Sequence, residues 1–229
     1  MPQPILNRFL DLLAAPATAG VFNPWVEHDA GNSLAGNDAA ARRARLEAHL
    51  DTDPEQVLIG EASGYQGCRV SGIPFTSERL ILAGDIPRVT SKVRLTARPR
   101  PWSEPSATTV WKTLREIGIA ESTVLWNAFP WHPFQLRKPL SNRTPTPTER
   151  EHGLPVLRAL LELFPRARVF AVGRHAEQAL TAIGRAGFAL RHPSMGGATR
   201  FRDGLCAALR NSQTEWPQTK GPGIAPGPF

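Results

Sequence analysis

Three short apolar runs dominate the chain: Val57-Leu58-Ile59, Val124-Leu125-Trp126 and Val169-Phe170-Ala171-Val172. Each is bounded by turn residues, and each is separated from the next by stretches whose apolar positions recur at helical spacing. Runs this short and apolar on both faces suit strands that are covered on both sides. Helices between them return the chain so that successive strands lie parallel. The spacing predicts helices over 5–15, 39–50, 103–118, 148–164, 174–183 and 199–210. It predicts strands over 56–60, 123–127, 167–172 and 188–190. Ser103 or Ser106 is the expected cap of the third helix, and Glu149 and Glu151 fall in the first turn of the fourth, where the dipole favours acids. Residues 64–104 read as mostly irregular. Residues 129–147 carry five prolines and read as a long exposed loop. The expected fold is a single-domain three-layer α/β/α with a four-stranded, mainly parallel central sheet over residues 1–211. Residues 212–229, rich in proline and glycine, are expected to form a disordered tail.

Composition limits what such a sheet can do. The 229 residues, 41% of them hydrophobic, suffice for one domain with a sizeable core. Net charge is +7, from 27 basic and 20 acidic side chains, which suits a polyanionic partner, with nucleic acid the first candidate. Only two cysteines occur, Cys68 and Cys206, far apart and outside any CxxC, so neither a disulfide framework nor a cysteine metal site is expected. No run approaches the roughly 18 apolar residues of a membrane span. The N-terminal segment holds Asp11 and lacks a basic-then-apolar signal pattern, so a cytoplasmic monomer, in a bacterial cytosol or nucleoid, is expected. Neither a GxGxxG fingerprint nor a P-loop is present, which disfavours a nucleotide-binding enzyme.

The sites that chemistry would use cluster at strand ends. The first strand runs into Gly60-Glu61-Ala62-Ser63-Gly64-Tyr65, a small-residue turn with one acid. Carboxyl ends of parallel strands are where open α/β sheets place ligands, and small residues let a ligand approach the backbone. Phe75 stands isolated between Pro74 and Thr76. Asn127 ends the second strand, and its amide offers both a donor and an acceptor. His192 follows the last strand, in Arg191-His192-Pro193-Ser194-Met195-Gly196-Gly197.

Taken together, these strings resemble the uracil-DNA glycosylase superfamily, and its iron–sulfur branch in particular. Gly60-Glu61-Ala62-Ser63-Gly64 is similar to that branch's GEAPG motif, with Ser63 in place of proline. Gly72-Ile73-Pro74-Phe75-Thr76, Asn127, Asn142-Arg143-Thr144-Pro145-Thr146-Pro147, Gly173-Arg174-His175-Ala176 and His192-Pro193-Ser194 follow in the family's order, and the resemblance covers roughly residues 55–210. It implies a DNA-repair hydrolase that extrudes a uracil into a pocket and hydrolyses its N-glycosidic bond, leaving an abasic site. Phe75 would stack on the base, Asn127 would read it, and His192 would stabilise its O2 as charge develops, with Gly60 and Ala62 in the uracil pocket. DNA contacts would come from Ser63, Gly64, Tyr65, Ser194, Met195, Gly196, Gly197 and Arg200. Ser194 would bond a phosphate that Gly196-Gly197 lets approach, and Met195 would wedge into the vacated stack.

The departures from the pattern carry information. Trp131 stands where the branch has a cysteine after the Asn, and no cysteine follows the NRTPTP string. A cluster ligated by four thiolates cannot form from two, so no cofactor is expected. The loop that a cluster pins would be held by packing through Trp126, Phe129, Trp131 and Phe134. Ala62 replaces the water-activating residue of other branches, which leaves Glu61 for that role by elimination. Gly64 aligns with a thymine-excluding Tyr of the most uracil-specific branch, which implies an open wall and tolerance of other deaminated or 5-substituted bases. The alternative is a weak or covalently trapping uracil- or abasic-DNA-binding protein of the same fold. A trap would need a histidine-bearing basic insert, and Ser77–Arg100 holds no histidine.

Overall fold

A computed structural model describes residues 3–15, 18–29 and 31–211. Its strands in chain order are β1 (Val21–Phe22), β2 (Gln56–Ala62), β3 (Thr123–Phe129), β4 (His132–Pro133), β5 (Arg168–Val172) and β6 (Phe188–Leu190). The helices are α1 (Gln3–Leu13), α2 (Ala39–Leu50), α3 (Cys68–Ser71), α4 (Glu78–Leu82), α5 (Pro105–Glu116), α6 (Pro147–Leu163), α7 (Arg174–Ala182) and α8 (Ala198–Asn211). The central sheet has the order β3-β2-β5-β6, with every pair parallel. From β2 the chain goes to β3 on one side, then crosses back to β5 on the other. That reversal opens a crevice at the carboxyl ends of the strands.

Alternation along the strands sorts the core into two layers. Val57, Ile59, Val124, Trp126, Val169 and Ala171 face one cluster, covered by α1, α6 and α7. Leu58, Leu125, Phe170 and Val172 face the other, covered by α5 and α8. Both faces are buried, which is why the strands read as unbroken apolar runs rather than as alternating ones. The three-layer arrangement with a four-stranded parallel sheet is therefore as expected.

Three details differ from the sequence reading. First, α5 starts at Pro105, and its capping position is held by Glu104, whose side chain makes no cap hydrogen bond; neither Ser103 nor Ser106 caps it. Second, residues 129–133 are not exposed. β4 pairs antiparallel with β1, and the Trp131 Nε1–H donates to the Leu13 carbonyl at 3.1 Å. These partners lie more than a hundred residues upstream, beyond the reach of local pattern. Third, the irregular 64–104 stretch contains α3 and α4 and is organised around buried Glu78. Its carboxylate accepts from Leu95 N, Thr96 N, Thr96 Oγ1, Trp102 N and Arg94. Burial alone would raise this acid's pKa, but the hydrogen bonds from Thr96, Arg94, Trp102 and Leu95 outweigh it and hold the group below the ordinary carboxylate range. The expected tail at 212–229 lies outside the described residues.

No four-thiolate site exists in this chain. Cys68 lies buried on α3, where burial pushes its thiol up to about 12, and Cys206 lies on α8. The loop after β3 is tied down by other means. Arg69 pairs with Asp29 through two hydrogen bonds (2.9 and 3.0 Å) and donates to His132 Nδ1 at 3.1 Å, while His132 Nε2–H donates to the Ser141 carbonyl at 2.8 Å. Burial lowers the His132 pKa to about 4, which keeps the ring neutral and able to accept from Arg69. Arg143 clamps Glu149 with two bonds of 2.7 Å, and Glu149 closes a capping box with Thr146 at the start of α6. Aromatic contacts complete the packing: Trp126 with Trp25 and Phe9, and Phe129 with Trp131.

Candidate active site

The crevice holds a cavity of about 620 Å³. Glu61, Phe75, Asn127 and His192 all line it, although the chain separates the first from the last by more than a hundred residues. Ala62, Ser63, Gly64, Ser194 and Met195 line it as well.

β2 and β3 set the floor. Gly60 pairs in register with Asn127. A Cβ on Gly60 would lie 2.3 Å from Phe75 Cζ and 2.7 Å from the Asn127 terminal amide, so only glycine lets ring and amide meet over the strand. Phe75 is held at φ 52°, in the left-handed region that a bulky residue rarely occupies. Such strain is concentrated at functional sites. Asn127 is buried, and its hydrogen-bond network assigns the amide: Oδ1 accepts from Ser63 N and Nδ2 donates to the Trp126 carbonyl, each at 3.3 Å. One N–H and one lone pair remain for a ligand.

His192 follows β6 and is half-buried. Ser194 presents both its backbone N–H (3.2 Å) and its hydroxyl (2.8 Å) to Nδ1. Nδ1 therefore accepts, and the neutral ring carries its hydrogen on Nε2. Burial, helped by the adjacent Arg191 charge, lowers the His192 pKa and favours this neutral form. Glu61 lies at the end of β2, with Oε1 3.8 Å from Nε2 of His175 at the start of α7.

Several expected DNA contacts are placed differently. Ser63 is buried, and its hydroxyl donates to the Pro130 carbonyl, bracing the pocket floor instead of facing outward. Ser194 directs its hydroxyl to His192. Gly197 is required by its own loop, since a Cβ there would lie 2.1 Å from the His192 carbonyl oxygen; Gly196 has φ +72° and open space around it. Tyr65 packs edge-on against Trp102, and its N–H donates to Asn142 Oδ1 at 3.1 Å, beside the cavity but not lining it. Met195 is 94% exposed at φ 52°, on the cavity rim. Arg200 is exposed on α8.

Glu104, Ser106, Asn142, Arg143 and Thr144 line the cavity and escaped the sequence reading. Asn142 lies in the NRTPTP string, which signals a family motif without assigning a pocket role. Glu104 precedes a helix and looks there like an ordinary surface acid.

The sequence pattern of the Uracil DNA glycosylase superfamily matches residues 48–211. The chain belongs to that superfamily. Among solved structures, wild-type SMUG2 from Pedobacter heparinus superimposes with a TM-score of 0.63 at 17% identity, over 92% of this chain and 99% of that one. At that identity the likeness concerns the fold. No curated protein matches the sequence. Ala62–Gly64 and His192, which line the cavity, both fall within the matched residues. No helix among the described residues is long and apolar enough to cross a membrane.

Proposed function

We infer that this protein is a monofunctional uracil-DNA glycosylase that hydrolyses the N-glycosidic bond of an extruded uracil with water and leaves an abasic site. The observation that carries this reading is the convergence of Phe75, Asn127 and His192 on one cavity at the strand ends. The Phe75 ring supplies a stacking face for the base. The free N–H and lone pair of Asn127 match a carbonyl and the N3–H of uracil, while a cytosine edge, with its amino group and bare N3, leaves them unpaired.

As the glycosidic bond breaks, its electron pair moves onto the base and negative charge develops at O2. The Nε2–H of neutral His192 donates to that oxygen. A neutral donor fixed by Ser194 needs no reorganisation during the step. Glu61, the acid at the end of β2, orients water toward the sugar carbon and offsets its positive character. At the pocket rim, exposed Met195 fills the gap left in the stack, and Arg200 on α8 contacts the phosphate backbone. Ser63 and Gly64 belong to the pocket wall, with Tyr65 beside it. The net charge of +7 suits a DNA partner.

The test is incubation with uracil-containing oligonucleotide followed by alkali, which cleaves at abasic sites. Wild type should produce strand breaks only after alkali. Asn127→Ala and His192→Ala should each lower single-turnover rates by about 100-fold or more. Cleavage without alkali, or undiminished rates in both variants, would refute the reading.

A further inference from the structure

Glu104 is the one acid of the cavity for which this reading has no role. It occupies the capping position of α5, yet gives its carboxylate to none of that helix's free N–H groups. Its side chain instead lies in the cavity wall, against Gly67. A Cβ on Gly67 would stand 1.8 Å from Glu104 Oε2, so the niche exists only because residue 67 is glycine. Oε2 is shut off from solvent and has no hydrogen-bond partner. A buried polar oxygen left unmatched is costly, and because Glu104 also lines the cavity, a turn of its carboxyl would offer that oxygen to a ligand's polar group.

We propose that Glu104 is a base-contacting residue that sets substrate preference, hydrogen-bonding a polar group that the extruded base carries beyond its uracil-like edge. The inference rests on the glycosylase reading above. In that reading Asn127 and His192 already engage the O2, N3–H and O4 of uracil. A further donor–acceptor then has work only on bases with more polar groups, such as the hydroxyl of 5-hydroxymethyluracil or the imidazole edge of hypoxanthine and xanthine. A cavity of about 620 Å³ has room for these larger bases.

The protonation state fits the role. Burial pushes the Glu104 carboxyl up to about 7. Below that pH it is neutral and presents one O–H donor besides its acceptor sites. The other titratable groups around it are the Cys68 thiol on α3, Arg79 on α4, which bonds Ser103 and Thr108, and Glu61, Arg143 and His192 across the cavity. Comparing two bases in one enzyme cancels effects that those groups exert on every substrate.

The experiment measures single-turnover excision of uracil, 5-hydroxymethyluracil, hypoxanthine and xanthine by wild type, Glu104→Gln and Glu104→Leu from pH 5.5 to 9. In Glu104→Leu, rates on the best-handled larger base should fall roughly tenfold relative to uracil, the scale of one lost hydrogen bond. For hypoxanthine and xanthine, whose N7 only accepts, the wild-type ratio to uracil should decline as pH rises through about 7, and Glu104→Gln, which keeps an N–H donor and cannot titrate, should give a flat ratio. Glu104→Leu should melt at or above the wild-type temperature, because it removes an unmatched buried carboxyl. An unchanged ratio in Glu104→Leu overturns the proposal. So does a uniform loss on every base with a lowered melting temperature, which would make Glu104 structural. Wild type that releases uracil but none of the larger bases overturns it while leaving the glycosylase reading intact. Wild type that releases nothing refutes both.

Discussion

Adding one methyl group at Gly60 should disable the pocket without dismantling the fold. Gly60→Ala puts a Cβ 2.3 Å from Phe75 Cζ, 2.5 Å from Phe75 Cε2 and 2.7 Å from the Asn127 amide. Carbon–carbon contacts settle at about 3.5–4.0 Å, so the ring must retreat by roughly 1.2 Å or more from the present 2.3 Å. Retreat is not free. Phe75 is 6% exposed, sits at φ 52°, and is followed by fully buried Thr76, Ser77 and Glu78. Overpacking of this kind costs about 1–3 kcal/mol of stability, which a domain of ordinary stability survives. A displacement of about 1 Å at a reacting centre costs on the order of 100-fold in rate, or roughly 3 kcal/mol of transition-state stabilisation. The assay is single-turnover uracil excision beside a thermal melt. A folded variant within threefold of wild type would show that neither the Phe75 ring nor the Asn127 amide needs its present position, and the pocket assignment would fall.

Other perturbations report on separate parts of the molecule. Glu61→Gln should slow excision by about 100-fold, and His175→Ala, which removes the group 3.8 Å from that carboxylate, should slow it less; the opposite order in single-turnover rates would make His175 the more important of the two. Buried His49 and His132, held neutral by desolvation with pKa values lowered to about 3 and about 4, should make the fold acid-sensitive. Their contribution is complete above about pH 6.5, the unfolded value, and is lost as pH falls toward the folded values, at about 1.4 kcal/mol per pH unit for each. Denaturant melts between pH 7 and 4 measure this slope, and His49→Gln should reduce it by about half. Arg200→Ala should lower the slope of log affinity against log salt by about one contact's worth and weaken binding equally for uracil-containing and ordinary DNA; an unchanged slope in fluorescence titrations removes Arg200 from the interface.

The local pattern carried the central sheet almost intact, because strands covered on both faces must be apolar at every position, and Val57–Ile59, Val124–Trp126 and Val169–Val172 advertise that burial directly. Pocket residues were legible for a related reason: Phe75, Asn127 and His192 each interrupt an otherwise ordinary context, and their strings keep the family's order. Trp131 was legible as a packing substitute for a missing thiolate, but its partner, the Leu13 carbonyl, was not.

What the sequence by itself determined is the four strands of the central sheet, their parallel sense and the chemical types placed at their carboxyl ends, all of which follow from burial and local turn chemistry. Only the tertiary structure decided which polar groups are already engaged. The hydroxyls of Ser63 and Ser194 bond Pro130 and His192, partners that residue order does not reveal. Glu104 looks like a surface acid until its carboxyl is seen with no donor in a niche made by Gly67. A hydrogen bond depends on distance and direction between atoms remote along the chain, and residue order does not encode either locally.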